Sequence, residues 1–189
     1  MPSKRQMAVM EELQKHIGRD KLASTLDPRG FIRMFVYGGD VYHHCILDYK
    51  AELDAVTCVI VDYITSSEAK EVEILKAFMH AQKRACGLRF FQDFDDGHIF
   101  ADSHIFLHGA LPTYGQFKCA FRGLLSAASD LYPAFQRILW IPSMTAEESF
   151  RIFDVEKSAR DTFSDRNVTN SAPTNRTIRF LPLDGAEGN

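Results

Sequence analysis

The feature that most constrains this fold is an Asp-Gly pair, Asp96-Gly97, between two runs rich in aromatic and β-branched residues. The run LRFFQDF precedes the turn and the run HIFADSHIFLH follows it. Because Gly accepts the positive φ that a tight turn requires, this arrangement predicts a β-hairpin over residues 88–108.

The second strand of this hairpin has two different faces, because successive side chains of a strand point to opposite sides. One face carries Ile99, Ala101, Ser103, Ile105 and Leu107. The other face carries His98, Phe100, Asp102, His104, Phe106 and His108. The first set is typical of a core, and the second predicts a mixed polar and aromatic surface.

A helix is predicted immediately before the hairpin. Thr65 and Glu68 fit a capping box, so the helix is expected to start there and to run to about Cys86. Gly87 supplies the left-handed residue that commonly ends a helix. Seven residues give this helix a wide apolar face: Val72, Ile74, Leu75, Phe78, Met79, Ala81 and Ala85.

A second helix is predicted after the hairpin, opening at Pro112-Thr113. Its apolar stripe extends from Phe117 to Leu131, until Pro133 is expected to disturb it. Near the N-terminus, apolar residues at three- and four-residue spacing predict a helix over residues 5–18. Three strands are expected to follow it, at about 31–37, 41–49 and 55–64.

Together these elements predict an α+β fold in the order α-β-β-β-α-β-β-α, with an antiparallel sheet of about five strands packed against helices. At 189 residues the chain is long enough for one buried core. We expect a single domain over residues 1–142. Residues 143–189 are expected to form a tail with one short helix, to about Ala159, and an isolated apolar patch at 178–183.

Composition and charge narrow the class of protein. Hydrophobic residues make up 46% of the chain and charged residues 25%, as in ordinary folded proteins. The net charge is −3 and no basic stripe is visible, which argues against a nucleic-acid partner. The sequence has no apolar run of the roughly 18 residues needed to span a bilayer, and its N-terminus lacks a signal-peptide pattern. We therefore expect a cytoplasmic protein with no membrane partner.

Two side-chain groupings raise the alternative of a small enzyme. His43-His44-Cys45 suggests a thiol nucleophile with a nearby base, and His43 shares the strand face of Cys45. Asp102 and His104 are close enough on one strand face to meet a metal ion, whereas His98 and His108 are too distant to join them. A complete tetrahedral shell is not visible, so a solvated sheet face and a buried Cys are the preferred interpretations.

Common catalytic and cofactor motifs are absent from the sequence. It has no phosphate-loop, dinucleotide-binding, G-x-S-x-G or H-E-x-x-H pattern. Four scattered cysteines without a C-x-x-C pair do not indicate a disulfide framework. We therefore expect no cofactor, and the absence of these motifs argues against an enzyme without excluding one, since carboxylate-based sites leave no local motif.

The order of the elements resembles the YbjN-like family of bacterial sensory transduction regulators, whose α+β fold is shared with dimeric class I type III secretion chaperones. The resemblance covers about residues 5–135. It is strongest over KAFMHAQKRACGLRFFQDFDDGHIFADSHIFLHGALPTYGQFKCAFRGLL. There a helix leads into an Arg-Phe strand, an Asp-Gly turn, an acidic-apolar return strand and a final helix.

This resemblance implies a non-enzymatic homodimer that presents an apolar surface to a protein client, in the manner of a chaperone. A client segment would bind by strand addition or in hydrophobic grooves. No catalytic residue is implied. The side chains expected to form the surface are Phe91, Phe100 and Phe106. Whether Phe100 and Phe106 are covered by this chain, by a second copy or by a client is left open by the sequence.

Overall fold

The computed structural model describes residues 2–38, 41–85, 87–93 and 95–167. Its helices are α1 (Lys4–Arg19), α2 (Glu71–Arg84), α3 (Tyr114–Trp140) and α4 (Ala146–Asn167). Its strands are β1 (Ser24–Leu26), β2 (Phe31–Gly38), β3 (Val41–Lys50), β4 (Ala55–Thr65), β5 (Arg89–Gln92) and β6 (His98–Phe106). Within these residues, no helix combines the length and the apolar character needed to cross a membrane.

The six strands form one antiparallel sheet in the order β1-β2-β3-β4-β6-β5. After β4 the chain passes through α2 to β5, which lies at the edge of the sheet. The hairpin then places β6 between β5 and β4. The long strand β4 lies between β3 and β6, consistent with its nearly continuous apolar sequence. The fold is α+β, as the pattern predicts, with one strand more than the five expected.

The helices cover a single face of the sheet, and the core lies between the two layers. In β2, β3 and β6 the alternate residues that point toward the helices are buried, as period-two alternation requires. Aromatic rings dominate the middle of this core, where Phe135 of α3 contacts Tyr63, Phe78 and Phe90. The sheet's other face is therefore left to solvent by the described helices.

The predicted elements agree with the structure to within about two residues at most boundaries, with three differences. The short strand β1 lies in a segment that the pattern assigns to a linker. The capping box at Thr65 is wrong, because the chain first makes a 3₁₀ turn at Glu68–Lys70 and α2 starts at Glu71 without a side-chain cap. The expected disturbance at Pro133 is also wrong, because α3 continues through it to Trp140.

The continuation of α3 past Pro133 has a packing explanation. Pro removes one helical hydrogen bond, a cost that tertiary contacts can offset. Ala134, Phe135 and Ile138 follow directly and are fully buried. Their burial on the sheet and on α4 stabilises the last two turns of α3.

Helix α4 lies against α2 and α3, and its first two turns are part of the core. Ala146 and Phe150 are fully buried, and Phe153 is 2% exposed. Phe150 stacks on His80 of α2 and meets Phe135 of α3 edge-on. The predicted short helix after Ser143 is therefore present and longer than expected. The apolar patch at 178–183 lies outside the described residues.

Candidate functional site: the open face of the sheet

The sheet face that points away from the helices carries a row of aromatic side chains. Phe91 and Phe106 are 42% and 53% exposed, and Phe100 between them is half-buried. The rings of Phe91 and Phe100 stack with centroids 5.1 Å apart, as the pairing of β5 with β6 dictates. Phe106 stacks between His104 and His108. No described segment of the chain covers these three phenylalanines.

The same face continues across the sheet to a second aromatic group, on β2 and β3. Phe35 and Tyr42 are about half exposed and stack with centroids 5.5 Å apart, while His44 lies 4.6 Å from Phe35 on its other side. The register places His44 beside Val61 of β4, so half-buried aliphatic side chains lie between the two groups. We call the surface formed by these two groups the open sheet face.

The aromatic residues of β2 were not predicted as part of a surface, although the signal was present in the sequence. Phe31, Arg33, Phe35 and Tyr37 alternate with Ile32, Met34 and Val36. One side of β2 is therefore aromatic apart from Arg33, and the other side is aliphatic. Since aliphatic side chains lie in the core, alternation alone assigns the aromatic side to the open sheet face.

Asp102 is held by an arginine, and this geometry argues against a metal site at Asp102 and His104. The guanidinium of Arg89 makes two hydrogen bonds to the Asp102 carboxylate, of 2.9 and 2.7 Å. The Nη2 atom of Arg89, which makes the 2.7 Å hydrogen bond, also lies 3.3 Å from His104 Nε2. A cation therefore already fills the space between the two side chains. Within the described residues, no three potential metal ligands are grouped around a common point.

Arg89 also explains how a carboxylate tolerates burial on an open face. Asp102 is 3% exposed, although it lies on the open sheet face between two strands. A buried carboxylate needs a charged, hydrogen-bonded partner, and the two-pronged guanidinium supplies one. This pair divides the aromatic side chains of β5 and β6 into the Phe91–Phe100 stack and the Phe106 group.

Cys45 and His43 lie on the core side of β3, where neither is suited to catalysis. Cys45 is fully buried and His43 is 2% exposed. Burial raises the pKa of the Cys45 thiol and lowers the pKa of the His43 imidazole to about 4. His43 shares a hydrogen bond with Ser129 of α3, at 2.9 Å. Both groups stay neutral and inaccessible near pH 7, so this pair does not form an activated thiolate.

A cleft of about 490 Å³ opens beside the Phe91–Phe100 stack, at the edge of the sheet. It is lined by Phe91, Gln92, Asp93, Asp95 and Phe100. Gln92 pairs with the buried Ile99, so its side chain lies on the core side of β5, and its Oε1 atom is buried without a hydrogen-bond partner among the described residues. The cleft thus combines apolar rings with two carboxylates, which suits a ligand with both apolar and cationic groups.

Comparison with known proteins finds similarity in three-dimensional structure and none in sequence family. No protein-family model matches the sequence, and no curated protein matches it. Among solved structures, the chain is similar to YbjN from E. coli, named as a candidate transcription regulator, with a TM-score of 0.50 and 9% identity. That match covers 67% of this chain and 93% of YbjN.

The chain is also similar to a chain of the HopA1–SchA chaperone–effector complex, with a TM-score of 0.52 and 12% identity. This match covers 68% of the present chain and 96% of the other. Both alignments span nearly the whole of the compared protein, so they concern its complete architecture. The chain therefore has the YbjN-like, type III secretion chaperone-like fold, an antiparallel sheet packed on one side against helices.

Proposed function

We propose that this is a non-enzymatic, chaperone-like binding or regulatory protein of the bacterial cytoplasm, which binds an extended segment of a protein client on its open sheet face. The observation that carries the proposal is the exposure of ordered aromatic side chains on that face. Large exposed apolar patches on a folded protein usually mark interaction sites. Aromatic residues are also enriched among those that dominate binding energy.

The chemistry of the face favours a polypeptide as the partner. Half-buried aliphatic side chains lie between its two aromatic groups, and the charges of Arg89 and Asp102 neutralise each other, so the face offers mainly apolar contact. Nucleic acid would require a concentrated positive surface, and the chain has a net charge of −3. An extended peptide could also pair with the free edge of β5. The occurrence of a similar fold in a chaperone–effector complex supports the proposal.

Site-specific crosslinking tests the open sheet face directly. A photo-crosslinking residue placed at Phe91 or Phe106 of the full chain should capture a partner in the native cell. The same residue at Trp140 is the matched control, because Trp140 is exposed but lies at the end of α3, in the helical layer. Equal capture from Trp140 would contradict the proposal.

The captured partner, once purified, allows a quantitative test. Loss of an aromatic contact at the centre of an interface typically costs 2 kcal/mol or more, which corresponds to about thirtyfold in Kd. We therefore expect Phe91→Ala and Phe106→Ala together to weaken binding at least about thirtyfold in calorimetry. Trp140→Ala should leave the Kd unchanged. An unaltered Kd for the double variant would exclude this surface.

We propose in addition that the protein is a homodimer, with α2 at the interface. Val72, Leu75 and Met79 are exposed at three- and four-residue spacing, although the sequence places them in one wide apolar face with the buried residues of α2. The helix thus buries one stripe in its own core and leaves a second stripe to solvent. A two-fold axis across α2 would cover this stripe with its copy.

Light scattering tests the dimer. The full chain should have twice the 21.5 kDa mass of one protomer. The double variant Leu75→Glu with Met79→Glu should raise the dimer dissociation constant at least about tenfold, because its interface would bury unpaired carboxylates. Val155→Glu is the control, since Val155 is exposed on α4. A strictly monomeric wild-type chain at high concentration would contradict the dimer. Light scattering does not test binding at the open sheet face, which is decided by the crosslinking experiment.

A further inference from the structure

We infer that residues 176–183 of this chain dock on the free edge of β5 and cover the Phe91–Phe100 stack, so that the tail competes with the client for one end of the open sheet face. The competition rests on the proposed function, whereas the docking itself does not. The segment has the sequence Arg-Thr-Ile-Arg-Phe-Leu-Pro-Leu. It contains the apolar patch at 178–183 that the sequence pattern isolates within a polar stretch.

The free edge of β5 has peptide groups available for another strand. Asp93 donates its backbone N–H to His98 at 2.8 Å, which fixes the phase of the antiparallel ladder between β5 and β6. Alternation along that ladder turns the peptide groups of Phe90 and Gln92 away from β6. Since β5 ends the sheet, no described strand pairs with them. A short apolar segment could add there as a seventh strand.

Charge complementarity selects this segment as the occupant. The cleft beside the stack presents Asp93 and Asp95, and within the described residues neither carboxylate has an ion-pair partner. The segment carries Arg176 and Arg179 and no acidic residue. Ile178 and Phe180, on one side of an extended strand, match the Phe91–Phe100 rings.

The chain is long enough to bring the segment to β5. Helix α4 runs in the same direction as α2, since Ala146 donates to Glu73 near the start of α2 and Asp154 pairs with Arg84 at its end. From Asp154 to Asn167, α4 extends past the end of α2 by about 20 Å. The eleven residues from there to Ile178 span up to about 36 Å. Arg84 is only five residues before the start of β5, so the segment can return to that strand.

Hydrogen exchange in the full chain tests the docking without any client. The amides of Phe90 and Gln92 should be protected in the wild-type protein and should exchange at least tenfold faster in Ile178→Ser with Phe180→Ser. Val168→Ser is the matched control, because it removes an apolar residue outside the segment and should leave β5 unchanged. Equal exchange of β5 in the wild-type chain and the double variant would overturn the inference.

Reversing the charges of the segment tests the docking independently. Arg176→Glu with Arg179→Glu should also accelerate exchange of the β5 amides, and Asp95→Lys added to that variant should restore part of the protection. Protection that does not change with protein concentration supports docking within one chain. Protection that rises with concentration would overturn it, because the segment would then come from a second copy.

The client-binding consequence is read from a different measurement. With the crosslinked partner in hand, Ile178→Ser with Phe180→Ser should lower its Kd several-fold, whereas Val168→Ser should not change it. If the amides of β5 exchange faster but the Kd for the client is unchanged, the segment docks on β5 without competing with the client. If no partner is captured at Phe91 or Phe106, the proposed function fails while the exchange result still decides whether the segment docks.

Discussion

Replacing Phe135 by Ala is expected to lower the free energy of unfolding by about 3–5 kcal/mol, a large part of the total stability of a domain of this size. Phe135 is fully buried, and its ring contacts Phe90 of the sheet, Phe78 of α2 and Phe150 of α4. The loss combines the transfer free energy of the ring with that of a cavity where three layers of the protein meet. Urea unfolding followed by far-ultraviolet circular dichroism measures it.

The control for this prediction is Phe106→Ala on the open sheet face. Phe106 is 53% exposed and contacts two histidine rings at the surface, so its removal should change stability by no more than about 0.5 kcal/mol. If Phe135→Ala does not fold, Phe135→Leu should fold with a smaller loss. Similar losses for Phe135→Ala and Phe106→Ala would show that the core does not lie between the sheet and the helices as described.

The second large effect is the dependence of stability on pH through His43. Burial lowers the pKa of His43 to about 4 in the folded protein, against about 6.5 in an unfolded chain. Between these values the unfolded state binds a proton that the folded state does not. The free energy of unfolding is therefore unaffected by His43 above pH 6.5. It falls as the pH drops from 6.5 toward 4, by about 3 kcal/mol in all.

The pH effect is measured by comparing urea unfolding of the wild-type protein and His43→Gln at several pH values between 7 and 4. The Gln side chain can keep a hydrogen bond to Ser129, at the position now 2.9 Å from His43 Nε2, but does not titrate. Carboxylates and other histidines contribute equally to both proteins, so the difference between the curves isolates His43. Parallel curves for the two proteins would show that His43 is not buried as a neutral ring.

The His43–Ser129 and Arg89–Asp102 pairs have different roles. His43 and Ser129 satisfy each other inside the core and link β3 to α3. Arg89 and Asp102 lie on the open sheet face and join β5 to β6. The first pair removes the chemistry that a Cys-His enzyme would need, and the second removes the free carboxylate that a metal site would need. The two pairs therefore argue against the Cys-His and metal-site alternatives that the sequence raises.

The sequence by itself determined five of the six described strands, the hairpin and the two faces of its second strand. Asp96-Gly97 fixes the turn, and the alternation from Ile99 to Phe106 assigns the core side, because side-chain direction along a strand has a period of two regardless of what the strand contacts. Phe100 and Phe106 were placed on one face for this reason. The α+β order also followed from local patterns, and comparison of the fold confirmed it.

Only the tertiary structure decided how the faces are used, because that depends on residues distant in the chain. It pairs Asp102 with Arg89 and His43 with Ser129, across 13 and 86 residues. It buries only part of the apolar face of α2, and packing against the sheet and α4 carries α3 through Pro133. The open sheet face is likewise a tertiary result: all the described helices pack on one side, so the aromatic side of the sheet is left uncovered by them.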